Sequence, residues 1–573
     1  MLVYGDRFQT VDPRRSLAEI SDTLETAAKA QSAGARHDLL TRALIESGQL
    51  AQGLADAEFD NLGWDQDSPA QTAAMGLAVG VARRFSASPC EAADPRFSVA
   101  AQLTGLAALP LPALVNCKTP EGYAFYAVYP EAYAAAVEAE HWEMPPLVIG
   151  LRSIGTSLAA VAAAAAEAQA IVTLRPCGHP FERQVRVGDE LRARLADHGS
   201  AFLIVDEGPG LSGSSFGAVA DLLGSLGVAS DRMIFLASHR GEPGPQACDR
   251  HRRIWRETRR LVITFDDLME QAPLHSRFAD LVGEVNGVED LSGGAWRSTL
   301  PPAEQPPAWT GQERRKFRLT TTSGVYLAKF AGLGMAGKGK LARAQALHLG
   351  GFAPEPIALR SGFLLERWVK GEPLRSVGSG RSAFLAHLAR YLAFRAQRFP
   401  AAPSDGANAM DLRAMVLANA DELAGANLGR RLEAALRGFD NPGPASAPVQ
   451  VDGRLQHWEW LRTPDGGFMK TDALDHACGH DLIGCQAIGW DVAGAAVEFQ
   501  LLPTEIRQLR NRIAAAGAAV VGVATIEMFR ICYVAFQAAY WSMAEQAAPT
   551  SERHVILRRR DRLLRELRRL ADS

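Results

Sequence analysis

The sequence lacks the features that mark secreted, membrane-spanning and nucleic-acid-binding proteins. Only 7 of its 573 residues are cysteines, an odd and scattered set, which argues against a disulfide framework and for a reducing compartment. The net charge of −3 gives the chain no overall attraction for a polyanion. The longest apolar run, Ile513 to Ile526, is too short to cross a bilayer and predicts one buried helix. Because the N-terminus has no basic segment followed by an apolar run, we expect a cytoplasmic protein with no membrane or nucleic-acid partner.

The length and texture of the chain predict several domains. A chain of 573 residues exceeds one hydrophobic core, and 47% hydrophobic with 22% charged residues is typical of globular proteins. Residues 1–115 have helical periodicity and no recognisable chemistry, whereas alternating strand and helix patterns over 116–275 predict a parallel α/β sheet. Residues 276–312, rich in glycine and proline, predict a linker or the start of another lobe. Residues 313–573 form the last predicted domain, with two strands within Phe317–Phe330 and mostly helix beyond about residue 375.

Smaller elements are predicted from the same patterns. Strands are expected at 123–129, 147–151, 170–174, 202–205 and 233–237. A loop is expected at Asp440 to Pro448. The arginine-rich segment Arg553 to Leu570 predicts an amphipathic helix docked on the last lobe, with contact to a polyanion as the alternative.

The most informative motif is an apolar strand that ends in two acids. Phe202–Val205 leads into Asp206 and Glu207, and a loop of glycine, proline and serine leads on to a helical segment. The loop has no Walker A lysine, and a Rossmann fingerprint would place its glycines before the acid. The order resembles the phosphoribosyl pyrophosphate (PRPP) motif of type I phosphoribosyltransferases, in which two acids precede Thr-Gly-x-Thr/Ser. This chain has one extra turn residue, a glutamate as second acid and serines for threonines; the alternative is an ordinary βα turn.

The resemblance implies a PRPP site with Mg²⁺ in a parallel-sheet domain. Asp206 and Glu207 would orient the ribose, and a helix N-terminus with small residues would hold the 5′-phosphate. The loop after the strand at 147–151 takes the place of the family's pyrophosphate loop, with Arg152 as a catalytic cation. The residues expected to bind PRPP are Gly155, Thr156, Ser212, Gly213, Ser214 and Ser215. Three arginines fall where the family has its mobile flap, namely Arg175, Arg183 and Arg186.

A second set of motifs resembles the aminoglycoside-phosphotransferase-like kinases. Tyr326-Leu-Ala-Lys329-Phe330 is similar to the strand whose lysine pairs with ATP phosphates, and Phe363-Leu-Leu-Glu366 with Gly371-Glu-Pro-Leu374 is similar to the hinge. Lys470-Thr471-Asp472-Ala-Leu-Asp475 is similar to the family's metal-binding Asp-Phe-x-Asp motif, and Trp490-Asp491-Val-Ala493 is similar to its Asp-Leu-Ala helix. The resemblance implies a two-lobed α+β domain that binds ATP and Mg²⁺.

The catalytic loop departs from the family pattern. In the ungapped match of Asp452–Leu461, Arg454 replaces the catalytic base and Glu459 replaces the metal-binding asparagine, while a shift by two places Asp452 at the base position. The helix after Lys329 carries no acid, and Gln345 could only hydrogen-bond. Three hypotheses stay open: an active kinase that uses Asp452 or Glu459, a nucleotide- or substrate-binding pseudokinase, and a scaffold retained for packing. The residues of this kinase-like site are Lys329, Glu366, Asp452, Glu459 and Asp472, with Glu459 and Asp472 as Mg²⁺ ligands.

Together these motifs predict a phosphoribosyltransferase that transfers phosphoribosyl from PRPP to an unknown small-molecule acceptor. The kinase-like domain would bind or phosphorylate a related metabolite. The alternative is a non-catalytic regulatory protein that binds PRPP or a nucleotide and carries a pseudokinase domain.

Overall fold

A computed structural model describes residues 1–5, 7–87, 98–374, 380–437, 447–519 and 522–572. The loop predicted at Asp440 to Pro448 lies outside these ranges except for its last two residues. Among the described residues, no helix is both long enough and apolar enough to span a bilayer.

The N-terminal region packs helices against one short antiparallel strand pair. In chain order its elements are β1 (Phe8–Val11), α1 (Pro13–Lys29), α2 (Ala33–Leu62), α3 (Pro69–Ser86), α4 (Ala100–Ala107) and β2 (Val115–Lys118). Helix α1 is capped by Asp12, whose carboxylate accepts the Arg14 N–H, and α2 ends at Gly63 in the left-handed conformation. Helices α2 and α3 share one hydrophobic core with the parallel sheet described next, so the N-terminal region packs directly against that sheet.

The next region is the parallel α/β sheet that the sequence predicts. Its strands are β3 (Leu147–Leu151), β4 (Ala170–Leu174), β7 (Phe202–Val205), β8 (Met233–Leu236) and β9 (Arg259–Leu261), in the order β4-β3-β7-β8-β9. Around them lie α5 (Glu121–Phe125), α6 (Pro130–Glu138), α7 (Ile154–Ala165), the hairpin β5 (Cys177–His179) and β6 (Glu182–Gln184), α8 (Asp189–Asp197), α9 (Ser214–Ser225), α10 (Asp249–Glu257), α11 (Phe265–Gln271) and α12 (Ala279–Val282). All neighbouring strands of this sheet are parallel.

The third region opens with a five-stranded antiparallel sheet. Its strands are β10 (Val285–Asp290), β11 (Lys316–Thr321), β12 (Gly324–Phe330), β13 (Pro356–Arg360) and β14 (Phe363–Arg367), in the order β10-β11-β12-β14-β13. Helix α13 (Gly334–Leu349) joins β12 to β13. Because residues 285–290 pair with β11, the stretch predicted as a linker contributes a strand to this sheet.

The remainder is mostly helical, with one small sheet. Its elements are β15 (Glu372–Pro373), α14 (Arg381–Arg398), α15 (Ala409–Ala424), α16 (Ala426–Arg437), β16 (Trp460–Arg462), β17 (Phe468–Lys470), α17 (Gly489–Glu498), α18 (Pro503–Ala515), α19 (Val523–Ala547) and α20 (Thr550–Ala571). The amphipathic helix predicted near the C-terminus is confirmed, because α20 buries Leu563, Leu567 and Leu570.

Two predictions of secondary structure are wrong. Residues 123–129 do not form a strand: Tyr123 lies in α5, fully buried, with its hydroxyl hydrogen-bonded to Ser157 of α7. Tertiary packing of the aromatic rings overrides the local strand preference there. The apolar run Ile513 to Ile526 is not one helix, because α18 ends at Ala515 and Gly517 has a positive φ of 83°.

Candidate functional sites

The two loops predicted to bind PRPP meet at one edge of the parallel sheet. In this sheet β4 lies on one side of β3 and β7 lies on the other, so the order of the strands reverses between β3 and β7. Open α/β sheets bind ligands at the carboxyl ends of the strands that flank such a reversal. A Cβ on Gly155 would come within 2.6 Å of the Val205 carbonyl oxygen and 3.4 Å of Asp206 Oδ1. The loop after β3 and the acid pair after β7 are therefore in contact.

Burial raises the pKa values of both acids to near neutral pH, so each carboxyl group is protonated in a substantial fraction of molecules there. Asp206 Oδ1 accepts the backbone N–H of Glu207 at 2.9 Å, yet desolvation raises the pKa of Asp206 to about 7. Desolvation, together with repulsion from Glu121 and Asp206, raises the pKa of Glu207 to about 8. Glu207 Oε2 lies so close to Gly122 that a Cβ there would approach it to 2.8 Å. Both carboxyl groups can therefore donate as well as accept hydrogen bonds.

The serine loop is covered by the β5–β6 hairpin. Gly210 and Gly213 take positive φ values of 56° and 66° in this loop, before α9 begins at Ser214. The hydroxyls of Ser212 and Ser214 both donate to the Pro180 carbonyl, at 3.2 and 2.9 Å. The hairpin would have to move before these hydroxyls could bind a phosphate. Ser215 is half-buried at the second position of α9.

The predicted pyrophosphate loop is tightly packed. Thr156 is fully buried, and its hydroxyl has no hydrogen-bond partner among the described residues. Ser153, just before α7, takes an unusual φ of 142°, a strained conformation that is frequent at functional sites.

Arg152 does not present the free guanidinium that the sequence analysis expected. Its side chain is 0% exposed; it pairs with Asp56 at 3.0 Å and also with Asp65, both from the N-terminal region. Arg175 shares the same partners, because its Nε donates to Asp56 at 2.8 Å and its N–H donates to Asp65 at 2.7 Å. Burial lowers the pKa of Arg152 to about 9. Both arginines therefore anchor the sheet to the N-terminal helices; of the other flap arginines, Arg183 donates to the Pro176 carbonyl at 3.4 Å and Arg186 is exposed.

The second site lies between the antiparallel sheet and the helices. Lys329 of β12 contacts Oδ1 of Asp472 at 2.7 Å and Oδ2 of Asp475 at 2.8 Å. These lysine contacts hold the pKa values of Asp472 and Asp475 below their ordinary values, despite burial. Lys340 of α13 reaches Asp475 at 2.5 Å, whereas Gln345 of the same helix is exposed. Helix α13 thus supplies a cation, Lys340, to Asp475.

Helix α17 binds the loop before β16 through hydrogen bonds to its backbone. Asp491 accepts the backbone N–H groups of Asp452 and Gly453 at 2.8 and 2.9 Å. The Asp452 side chain is buried and accepts the Tyr391 hydroxyl. Arg454 donates to the Tyr540 hydroxyl at 2.9 Å and to Asp481 at 3.2 Å. A paired arginine cannot accept a proton at neutral pH, so Arg454 is no base.

Glu459 and Asp472 lie together at the inner end of this site. The fully buried Lys470 contacts Glu459 Oε2 at 2.6 Å and Asp452 Oδ1 at 3.5 Å. Burial raises the pKa of Glu459 to about 8 even so. Ligand atoms of Glu459, Asp472 and His476 all lie within 4.8 Å of one another. Lys470 and Lys329 each occupy one carboxylate oxygen and leave the other available, so the donor set fits a divalent cation.

A cavity of about 520 Å³ opens from these carboxylates. It runs past Leu327 and Glu366 to Trp368, the residue after β14, and Leu461 lines the opposite face. Burial raises the pKa of Glu366 to about 8. The segment between β10 and β11 covers the cavity with residues that include Trp296, Pro307 and Trp309, and Trp309 contacts the Tyr540 ring at 4.8 Å. We call residues 291–315 the cover segment.

Several residues of this site carry no signal in the sequence analysis. Lys340 has no motif around it. Lys470 and Asp475 belong to the metal-binding resemblance, but the sequence does not indicate that Asp475 pairs with Lys329 and Lys340. Trp309 lies in a proline-rich stretch that resembles a linker. The i, i+4 spacing of Asp472 and His476 is the one pattern that could have indicated His476.

Comparisons with known proteins match solved structures only. No family model matches the chain, and no curated protein matches its sequence. It is similar to choline kinase LicA from Streptococcus pneumoniae at 14% identity, covering 52% of this chain and 99% of that one, with a TM-score of 0.36. Spectinomycin phosphotransferase APH(9)-Ia, solved with ADP and spectinomycin, matches at 10% identity over 52% and 96%, with a TM-score of 0.36. Plasmodium vivax ethanolamine kinase matches at 10% identity over 56% and 91%, with a TM-score of 0.33. Similarity at this level establishes neither activity nor ligand.

Proposed function

We propose that the chain binds a nucleotide with a divalent cation in the cleft between the antiparallel sheet and the helices, as small-molecule kinases do. The observation that carries this proposal is the Lys329–Asp472 pair, 2.7 Å apart, at the inner end of a cavity of about 520 Å³. That volume falls in the range of ligand pockets, about 300–1,000 Å³. A base would lie against Trp368 and between Leu327 and Leu461, and the phosphates would reach Lys329 and the cation.

Phosphoryl transfer in this cleft would depend on positioning. The transferred group passes through a loose transition state, so oriented cations contribute more than proton abstraction. Arg454 occupies the position expected for a base, and the Asp452 carboxylate is buried against Tyr391 and Lys470. Glu459 lines the cavity, whereas Asp452 is not among its lining residues, and the pKa of Glu459, about 8, lies close to neutral pH. We therefore assign Glu459, rather than Asp452, to the acceptor side of the cleft.

The test is ADP and ATP binding by calorimetry with the full chain. Lys329→Met removes a cation that faces the phosphates, and Asp472→Asn removes a charged ligand of the divalent cation that would bind them, so each should weaken binding about tenfold or more. Lys338→Met is the matched control, since Lys338 is an exposed lysine of α13. Absence of binding in the unaltered protein, with and without a divalent cation, would remove the proposal. ATP turnover with choline, ethanolamine and aminoglycosides then separates a kinase from a protein that only binds nucleotides.

A second candidate is binding of PRPP at the edge of the parallel sheet, followed by phosphoribosyl transfer. The close approach of Gly155 to the end of β7 and to Asp206 supports it. Protonated Asp206 and Glu207 would hydrogen-bond ribose hydroxyls, and the 5′-phosphate would need the β5–β6 hairpin to move away from Ser212 and Ser214. Pyrophosphate release from PRPP with candidate acceptors tests it. Release that Asp206→Asn leaves unchanged would contradict the assignment.

A further inference from the structure

An imidazole nitrogen lies beside the two carboxylates of the cleft. His476 starts a short 3₁₀ turn, four residues after Asp472, and only 12% of its side chain is exposed. Its Nε2 is buried, has no hydrogen-bond partner among the described residues, and lies 4.0 Å from Asp472 Oδ2. A buried polar atom without a partner is destabilising, so its position beside two carboxylates favours a ligand that all three groups share.

The surrounding contacts leave a gap among three donor atoms. Lys329 lies on Oδ1 of Asp472 and Lys470 lies on Oε2 of Glu459. The two lysines hold the carboxylates in place, and Nε2 has no hydrogen-bond partner among the described residues. The donor atoms of the three side chains lie within 4.8 Å of one another, a spread that one ion can bridge after small side-chain rotations.

The donor set is unusual for magnesium. Mg²⁺ in proteins takes oxygen ligands almost exclusively and keeps several waters. A set of two carboxylates and one imidazole suits the first-row divalent metals, whose affinity for nitrogen rises from Mn²⁺ towards Cu²⁺. We propose that Glu459, Asp472 and His476 form a binding site for a first-row transition metal such as Mn²⁺ or Co²⁺, in preference to Mg²⁺. The role of this ion in nucleotide binding rests on the function proposed above, but its binding does not.

The test measures metal binding without nucleotide. The full chain is stripped with EDTA, titrated with Co²⁺ while its visible absorption is followed, and titrated with Mn²⁺ and Mg²⁺ by calorimetry. We expect Co²⁺ to bind about tenfold or more tighter than Mg²⁺, with an absorption band that reports nitrogen ligation. His476→Gln should weaken Co²⁺ binding about tenfold and change Mg²⁺ binding less than about twofold. His457→Gln is the matched control, because His457 lies on the neighbouring turn outside the donor set.

Two results would overturn the inference. One is equal affinity for Co²⁺ and Mg²⁺ in the unaltered protein, and the other is a loss in His476→Gln that is the same for both ions. Thermal melting of each variant shows whether it is folded, and Glu459→Gln, which should weaken all three ions, provides an independent variant. ADP binding is measured separately in EDTA and in Mn²⁺. Selective metal binding without ADP binding would remove the proposed function alone, and ADP binding without metal selectivity would remove this inference alone.

Discussion

The two candidate sites differ in how they pair their buried acids with cations. At the edge of the parallel sheet, no ion pair joins Asp206 or Glu207 to a cation within the described ranges, and burial raises both pKa values to about 7 and 8. In the cleft, Lys329 forms ion pairs with Asp472 and Asp475, and Arg454 forms one with Asp481. These pairs lower the pKa values of the three acids. The first site has only acids with raised pKa values, whereas the second combines acids paired with cations and two acids, Glu366 and Glu459, whose pKa values are raised to about 8.

This difference indicates which ligands each site suits. A protonated carboxyl group donates one hydrogen bond and accepts another, which fits a sugar hydroxyl better than a phosphate. Fixed ammonium and carboxylate groups fit phosphates and cations, whose charges they compensate. Near the parallel sheet, Arg152 and Arg175 instead form ion pairs with Asp56 of the N-terminal region.

The largest effect is expected from Arg152→Met. This change leaves Asp65, which is 1% exposed, without its cation, and breaking a buried pair by removing one partner costs about 3–5 kcal/mol. Urea unfolding measures the loss. Arg194→Met is the control, because Arg194 and Asp67 form an exposed pair worth less than about 1 kcal/mol. A loss in Arg152→Met no larger than that of the control would show that Arg152 is not structural and would restore it as a ligand residue.

Alanine substitutions at two helical glycines compare a tightly packed position beside the acid pair with an open position of α13. Gly155→Ala places a Cβ within 2.6 Å of the Val205 carbonyl oxygen, so we expect about 1–3 kcal/mol of destabilisation and weaker PRPP binding. Gly339→Ala in α13 meets nothing within 4 Å and should stabilise the protein by about 0.5–1 kcal/mol, the intrinsic helix preference of alanine. Both glycines are helical, so equal effects would show that the contact between the two loops of the parallel sheet is not tight.

The sequence predicts elements whose signals are local and misses contacts that join distant segments. The buried strand at Phe202–Val205 and the turn in Phe317–Phe330 both follow from short motifs. The partners of Arg152 lie about 90 residues away in the N-terminal region, which carries no recognisable chemistry in its sequence. Lys340 likewise becomes a partner of Asp475 only through the packing of α13. Pairing of buried charges is a property of the assembled fold, and no spacing rule reports it.

Neutral acids at the parallel sheet should make stability depend on pH. The pKa of Glu207 is about 8 in the folded protein against an ordinary value of 4.5, so the folded state binds the extra proton. Its contribution is complete below about pH 4.5 and is lost as pH rises through about 8. Glu207→Gln should therefore reduce the fall in unfolding free energy between pH 5 and 8.5 by about 1–3 kcal/mol. The exposed Glu182→Gln serves as control, and parallel pH profiles for all three proteins would contradict the burial of Glu207 as a neutral acid.

The smallest effect is expected at the contact between the two sites. The Tyr126 hydroxyl is 3.0 Å from His480 Nε2 and 3.4 Å from Gln312 Oε1, so it joins the region of the acid pair to the cover segment and the cleft. Tyr126→Phe removes these hydrogen bonds and should cost about 0.5–1.5 kcal/mol. Hydrogen exchange should rise in α5 and in the cover segment together, because each loses its tie to the other. Tyr326→Phe removes a 3.0 Å hydrogen bond to Ser323 within the antiparallel sheet and should leave both segments unchanged. Faster exchange in only one segment after Tyr126→Phe would show that the two sites are stabilised independently. The difference in how the two sites pair their buried acids would then arise separately in each region.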